Sequence, residues 1–195
     1  MLVLDCNFRN MRPFLLTILM FFTQISLAQK QVVDVKSIIS IQNMNISDAE
    51  DFLLDKDFLL KGSYPDKYGR KYYFTTKHRI FGDSFYKIVN AENENVYTEF
   101  QTEEISLYQS LKKQIVSNGF TYVKTYSNYR GINHLYSNQE NQFTIDIRIW
   151  QHAHTGATIY TFRVIKDKFQ LKIFGDEVLE HNRRERKNFE LPKIE

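Results

Sequence analysis

The chain has 195 residues, 43% of them hydrophobic, 15% aromatic and 25% charged, with a formal net charge of +3. That apolar content is enough to build a core, and the near-balance of charge gives no general pull toward nucleic acid or an acidic surface. Its one cysteine is Cys6, so the chain beyond it has no thiol for a disulfide, a zinc–thiolate site or a cysteine nucleophile.

The N-terminus reads as an export signal over residues 1–28. Arg9 and Arg12 give a positive flank, Pro13 to Phe22 is an uncharged apolar run, and Ser26 and Ala28 are the small residues before a cut. The run is shorter than the roughly 20 residues that a spanning helix needs. Met11 offers a more compact start than Met1. The expectation is therefore an exported chain, periplasmic or extracellular, without a stable membrane span after cleavage.

Residues 29–45 read as a linker with an edge strand in "KQVVDVKSIISIQNM". Two units then repeat one order of elements, 46–102 and 103–174. The first opens with Ser47 and Glu50 spaced as a capping box, with Ala49, Phe52 and Leu53 on one helical face. The second opens with Ile105, Tyr108, Leu111 and Ile115 along one side of a helix that Gly119 ends. Strands follow each helix: "FLLKGS", "RKYYFTT", "SFYKIVN" and "VYTEFQT", then "FTYVKTY", "INHLYS", "QFTIDIRIWQ" and "ATIYTFRVI". The third and fourth of the first set are apolar on both faces, as in strands buried on both sides.

Sliding the chain by about 62 residues, without a gap, brings Phe58 onto Phe120, Gly69 onto Gly131 and Phe100 onto Phe162. It also sets Ile88, Asn90 and Glu92 against Trp150, His152 and His154. The fold expected is α+β, with two sequential helix-plus-antiparallel-strand units, read as an internal duplication, fused into one core. "KFQLKIF" could add a last strand. Residues 175–195, with Arg183, Arg184, Arg186 and Lys187, read as a charged helical tail.

The stretch from Asp146 to Val164 carries the candidate site. Ile145, Ile147 and Ile149, with Tyr160, Phe162 and Val164 across a turn at Thr155–Gly156, form the core side. Asp146, Arg148, Trp150, His152 and His154 point the other way, beside Thr161 and Arg163. Arg148, Trp150, His152 and His154 are the candidate ligand-binding residues, because Trp and Arg combine large contact area with directional hydrogen bonds. A Trp over a sheet can also stack on a sugar ring. The competing reading has Trp150 covered by a helix or the tail.

Catalytic patterns are missing: there is no Gly-rich phosphate loop, nucleophile-elbow serine or His-Glu-x-x-His. The sequence thus reads as a non-enzymatic binding protein that uses a sheet face or the cleft between units. Its partner would be a protein or glycan outside the cytoplasm, with no nucleic acid and no cofactor. Two alternatives stand beside it. One is a metal-dependent hydrolase built on His152 and His154, two ligands where zinc wants three or four. The other is an inhibitor or immunity protein against a secreted enzyme.

Overall fold

The computed structural model of the chain describes residues 33–76, 84–92, 94–128 and 131–177. All of the described residues belong to one compact unit. The expected signal segment and the basic cluster from Arg183 to Lys187 lie outside the described residues.

The mixed α+β class holds. Helices α1 (Val35–Asn43) and α2 (Ile46–Leu54) precede strands β1 (Phe58–Asp66), β2 (Gly69–Thr76), β3 (Phe85–Ala91) and β4 (Glu94–Thr102). Helix α3 (Ile105–Ser117) leads into β5 (Thr121–Asn128), β6 (Gly131–Asn138), β7 (Phe143–Gln151) and β8 (Thr158–Lys166). A helix over residues 167–177, α4, follows β8 directly. All eight strands expected from alternation are present.

Four local expectations change. The segment "VKSIISIQN" is a helix and not an edge strand. The Asp34 carboxylate accepts the Ser37 amide at 2.6 Å, which satisfies one of the free amides of the first turn. Val35, Ile38 and Ile41 then fall on one buried face. In α2 the cap is Asn45, whose side chain accepts the Asp48 amide at 2.9 Å, so the expected Ser47–Glu50 box does not form. "KFQLKIF" belongs to α4. Its alternation would bury Leu171 with Phe169 and Ile173, but the helical turn leaves Leu171 88% exposed and Ile173 buried. Ile105, expected on the packed side of α3, is exposed, while Leu111 and Ile115 are fully buried.

The strands form a single sheet in the order β1-β2-β3-β4-β8-β7-β6-β5. Every neighbouring pair is antiparallel. Each set of four is a meander, and the two meet where β4 pairs with β8. One face of the sheet carries Phe74, Tyr86, Ile88, Phe100, Ile145, Ile147 and Phe162, packed in one cluster with Ile38 and Ile41 of α1, Leu53 of α2, and Leu111 and Ile115 of α3. The other face carries Val89, Tyr97 and Ile165, packed against Ile173, Phe169 and Phe174 of α4. Neighbours such as Ile88 and Val89 belong to opposite clusters, so β3 is buried on both sides, as its composition suggests.

The register relates the two halves more closely than residue identity does. The β1–β2 pair is irregular between Leu60 and Gly62, and the β5–β6 pair between Tyr122 and Lys124. Gly69 and Gly131 open β2 and β6 with φ of 139° and 127°, where an added Cβ would lie 2.2 Å from Asn90 O and Ile149 O respectively. These features recur at the expected spacing. Beyond them the gap-free alignment fails. Thr75 pairs with Phe85 and Ser137 with Thr144, so the β2–β3 connection is longer than the β6–β7 one. The correspondences of Ile88 with Trp150 and Asn90 with His152 lapse with it. Phe100 and Phe162 are direct partners across the β4–β8 junction, not equivalents. The likeness is one of topology and register, which by itself does not demonstrate duplication.

Candidate functional site

Alternation along β3, β4, β8 and β7 places ionisable residues on the α4 face. Lys87 stands opposite Glu99, Glu99 opposite Arg163, and Arg163 opposite Asp146. The result is a straight row of alternating charge across four strands. Lys87 Nζ donates to Glu99 Oε1 at 2.7 Å, and Arg163 Nη2 to Asp146 Oδ2 at 2.6 Å. Glu177, on the last described turn of α4, closes the row from above. It accepts from Arg163 Nη1 at 2.8 Å and from Arg148 Nη2 at 3.2 Å.

Glu99, Asp146, Arg148 and Arg163 are all buried, so their charges are costly unless paired. Burial pushes the Glu99 carboxyl up, but Lys87, Arg163 and Arg148 together outweigh it and hold the group below the usual glutamate range. Burial lowers the Lys87 ammonium more than Glu99 can restore. For Arg163 burial works against the charge, and Glu177 and Asp146 overcome it, raising the guanidinium further. Glu99 and Arg163 thus owe their charged forms to the opposite charges beside them in the row.

A second row lies next to the first: Gln101 faces Thr161, Thr161 faces Arg148, and Arg148 faces Asn133. Arg148 Nε donates to Asn133 Oδ1 at 3.1 Å. Trp150, one step along β7, donates from its indole Nε1 to Thr161 Oγ1 at 3.2 Å. No described residue of α4 lines this part of the sheet. A pocket of about 500 Å³ opens, lined by Glu99, Gln101, Gly131, Arg148, Trp150 and Thr161, among others. That volume lies within the usual range for small-ligand sites, about 300–1,000 Å³.

The four expected site residues divide into two pairs. Arg148 and Trp150 line the pocket, although Arg148 is 7% exposed and bound into the ion network. It is therefore not the open recognition side chain expected from alternation. His152 and His154 lie beyond the end of β7 in the connection to β8, where strand alternation no longer orients them. His152 N donates to Ala157 O at 2.9 Å and Gly156 N to His152 O at 2.8 Å, which fixes a tight loop. The two imidazole centroids are 5.8 Å apart. Among the described residues no group of three His, Cys, Asp or Glu is placed to hold a metal ion. Of the two covers in the competing reading, helix α4 lies over Arg148 and Arg163, with Trp150 half-buried at the pocket edge, and the tail lies outside the described residues.

Glu99, Gln101 and Gly131 were not expected in the site. Glu99 had a legible signal, an acid in the middle of a strand otherwise read as apolar on both faces. Gln101 and Gly131 had none, because only the β4–β8 and β6–β7 registers bring them beside Trp150.

No family model matches the chain, and comparison with curated proteins and with solved structures likewise finds no match. The pocket must therefore be read from its own chemistry.

Proposed function

We propose that this chain is an exported, non-enzymatic binding protein that takes its ligand in the Trp150 pocket on the α4 face of the sheet. One observation carries the reading. The only tryptophan of the chain stands beside a buried arginine and a buried carboxylate at the rim of a cavity, on hydrogen-bonded strands of the sheet. Aromatic and arginine side chains held this way concentrate binding energy. Their attachment to strands and not to loops means little ordering cost on binding. Export rests on the apolar run from Pro13 to Phe22 and on the small residues Ser26 and Ala28.

The test uses protein purified from culture fluid or an osmotic-shock fraction. Intact mass should correspond to a chain beginning at Gln29. The wild-type protein should retain a partner or ligand that Trp150→Ala loses while its circular dichroism and melting curve remain unchanged. Equal retention by the variant would retire the pocket. A full-length mass in the membrane fraction would retire export.

A further inference from the structure

We infer that the ligand of this pocket is a neutral saccharide, held by Trp150 against one ring face and by the polar wall at its hydroxyls. The inference rests on the binding role proposed above and adds the class of ligand. It follows from what each lining group has left after its internal bonds are counted.

Charge comes first. Glu99 is neutralised by Lys87 at 2.7 Å, and Arg148 by Glu177 at 3.2 Å, with Asp146 at 3.8 Å. An anionic ligand would meet the Glu99 carboxylate, and a cationic one would meet Arg148, each without a free counter-charge. Among the described residues the lining balances one acid against one base, which favours a neutral ligand.

Hydrogen bonding comes second. Arg148 uses Nε for Asn133 and Nη2 for Glu177, which leaves Nη1 as a donor. Glu99 uses Oε1 for Lys87, which leaves Oε2 as an acceptor. Thr161 Oγ1 accepts from Trp150 and keeps its own proton to donate. The amides of Gln101 and Gln151 make no side-chain bond among the described residues and offer both donors and acceptors. A purely apolar ligand would strip water from all of these without replacement. A ring bearing several hydroxyls, each both donor and acceptor, satisfies a wall of this mixed kind.

Shape is the third element. Trp150 is tethered through its indole N–H to Thr161, so its orientation is fixed. Gly131 lies beside it, and a Cβ there would come within 3.0 Å of Trp150 Cβ. The Gly131 backbone thus packs too closely against Ile149 and Trp150 to admit a side chain, and this contact helps to hold the indole in place. A flat aromatic surface flanked by bidentate polar groups suits the C–H face of a pyranose, whose edge carries the hydroxyls.

Because Trp150 is the sole tryptophan, its emission reports on this pocket directly. The protein should be titrated with neutral oligosaccharides (chito-, cello- and malto-oligomers), with sialylated and sulfated glycans, with nucleosides and with choline. The expected result is a saturable shift of Trp150 emission with at least one neutral oligosaccharide and reduced quenching by acrylamide. Gln101→Ala should weaken that binding about tenfold, equivalent to about 1.4 kcal/mol for its lost hydrogen bonds, with an unchanged melting curve. A response confined to the charged glycans, nucleosides or choline would overturn the saccharide assignment and keep the pocket. Silence across the whole panel would overturn the saccharide assignment. A partner that binds equally well to Trp150→Ala would overturn the pocket and the saccharide together.

Discussion

Glu99 and Arg163 face each other across the strand pair that joins the two halves of the sheet, and each has a second opposite charge on its outer side. The order Lys87, Glu99, Arg163, Asp146 therefore matters as much as the number of charges. Exchanging the central pair (E99R/R163E) conserves composition and keeps an acid opposite a base, yet it sets Arg beside Lys87 and Glu beside Asp146. If the row acts as a unit, urea unfolding should show the double variant less stable by about 3–5 kcal/mol, the range for breaking buried ion pairs. An isolated central pair would make the exchange nearly neutral. The same network sets a response to acid. The folded-state value of Glu99 lies below its ordinary 4.5, so the unfolded chain takes up the proton first as pH falls. The stabilisation is complete above the unfolded value and is lost as pH drops through the lowered folded one. Glu99→Gln should be less stable at neutral pH, and its stability should fall less steeply through the glutamate range, as measured by urea midpoints against pH.

Helices α1 and α4 are held by polar anchors as well as by their apolar faces. Asn95, buried on β4, donates from Nδ2 to the carbonyls of Ile41 and Met44 at 2.8 Å each, and so satisfies the open end of α1. Gln42 returns a bond from Nε2 to Asn95 O at 2.6 Å. Asn95→Leu is expected to cost about 1–3 kcal/mol, because buried carbonyls lose their donor. Hydrogen exchange should quicken in the last turn of α1 before any strand is affected. On the other face, Ile173 of α4 is 1% exposed and packs with Val89, Tyr97 and Ile165. Ile173→Ala should destabilise by about 2–5 kcal/mol. Loosening α4 also releases Glu177 from Arg148, so the variant should show altered Trp150 emission even without ligand. An unchanged spectrum would mean that α4 does not support the pocket.

The meeting of β4 with β8 makes the two meanders one molecule. Helices α1, α2 and α3 share one apolar cluster with strands of both halves, and the charged row crosses the junction on the opposite face. Neither half can bury its central strand alone, and a unit of such a size would be marginal in any case. Unfolding of Val33–Glu195 should therefore be a single transition, with tryptophan emission from β7 and far-ultraviolet dichroism superimposing. Two separable transitions would show that the halves fold as independent lobes. Tyr97 and Ile165 are direct partners far apart in sequence, so this closure depends on long-range contacts of the kind that slow folding.

Local physics made the eight strands readable. Ile145, Ile147 and Ile149 alternate with Asp146 and Arg148, and singly placed turn residues such as Gly69, Gly131 and Gly156 mark where the direction reverses. That pattern also named the inward side of β7 correctly. It could not name what covers the outward side. "KFQLKIF" alternates like a strand, yet α4 forms because Phe169, Ile173 and Glu177, four residues apart, all find partners on the sheet when the segment is helical. The N-terminal segment misled for a similar reason: Val and Ile favour strands in isolation, while the Asp34 cap and the groove over β4 favour the helix. Arg148 and Trp150 were visible as residue types in a telling pattern. Glu99, Gln101 and Gly131 join them only through strand register, which pairs residues dozens of positions apart. Sequence fixes which side chains alternate along each strand, since that depends on neighbouring bonds alone. Which strands lie side by side, which charges compensate and where a helix leaves the sheet open depend on the free energy of the whole packed chain.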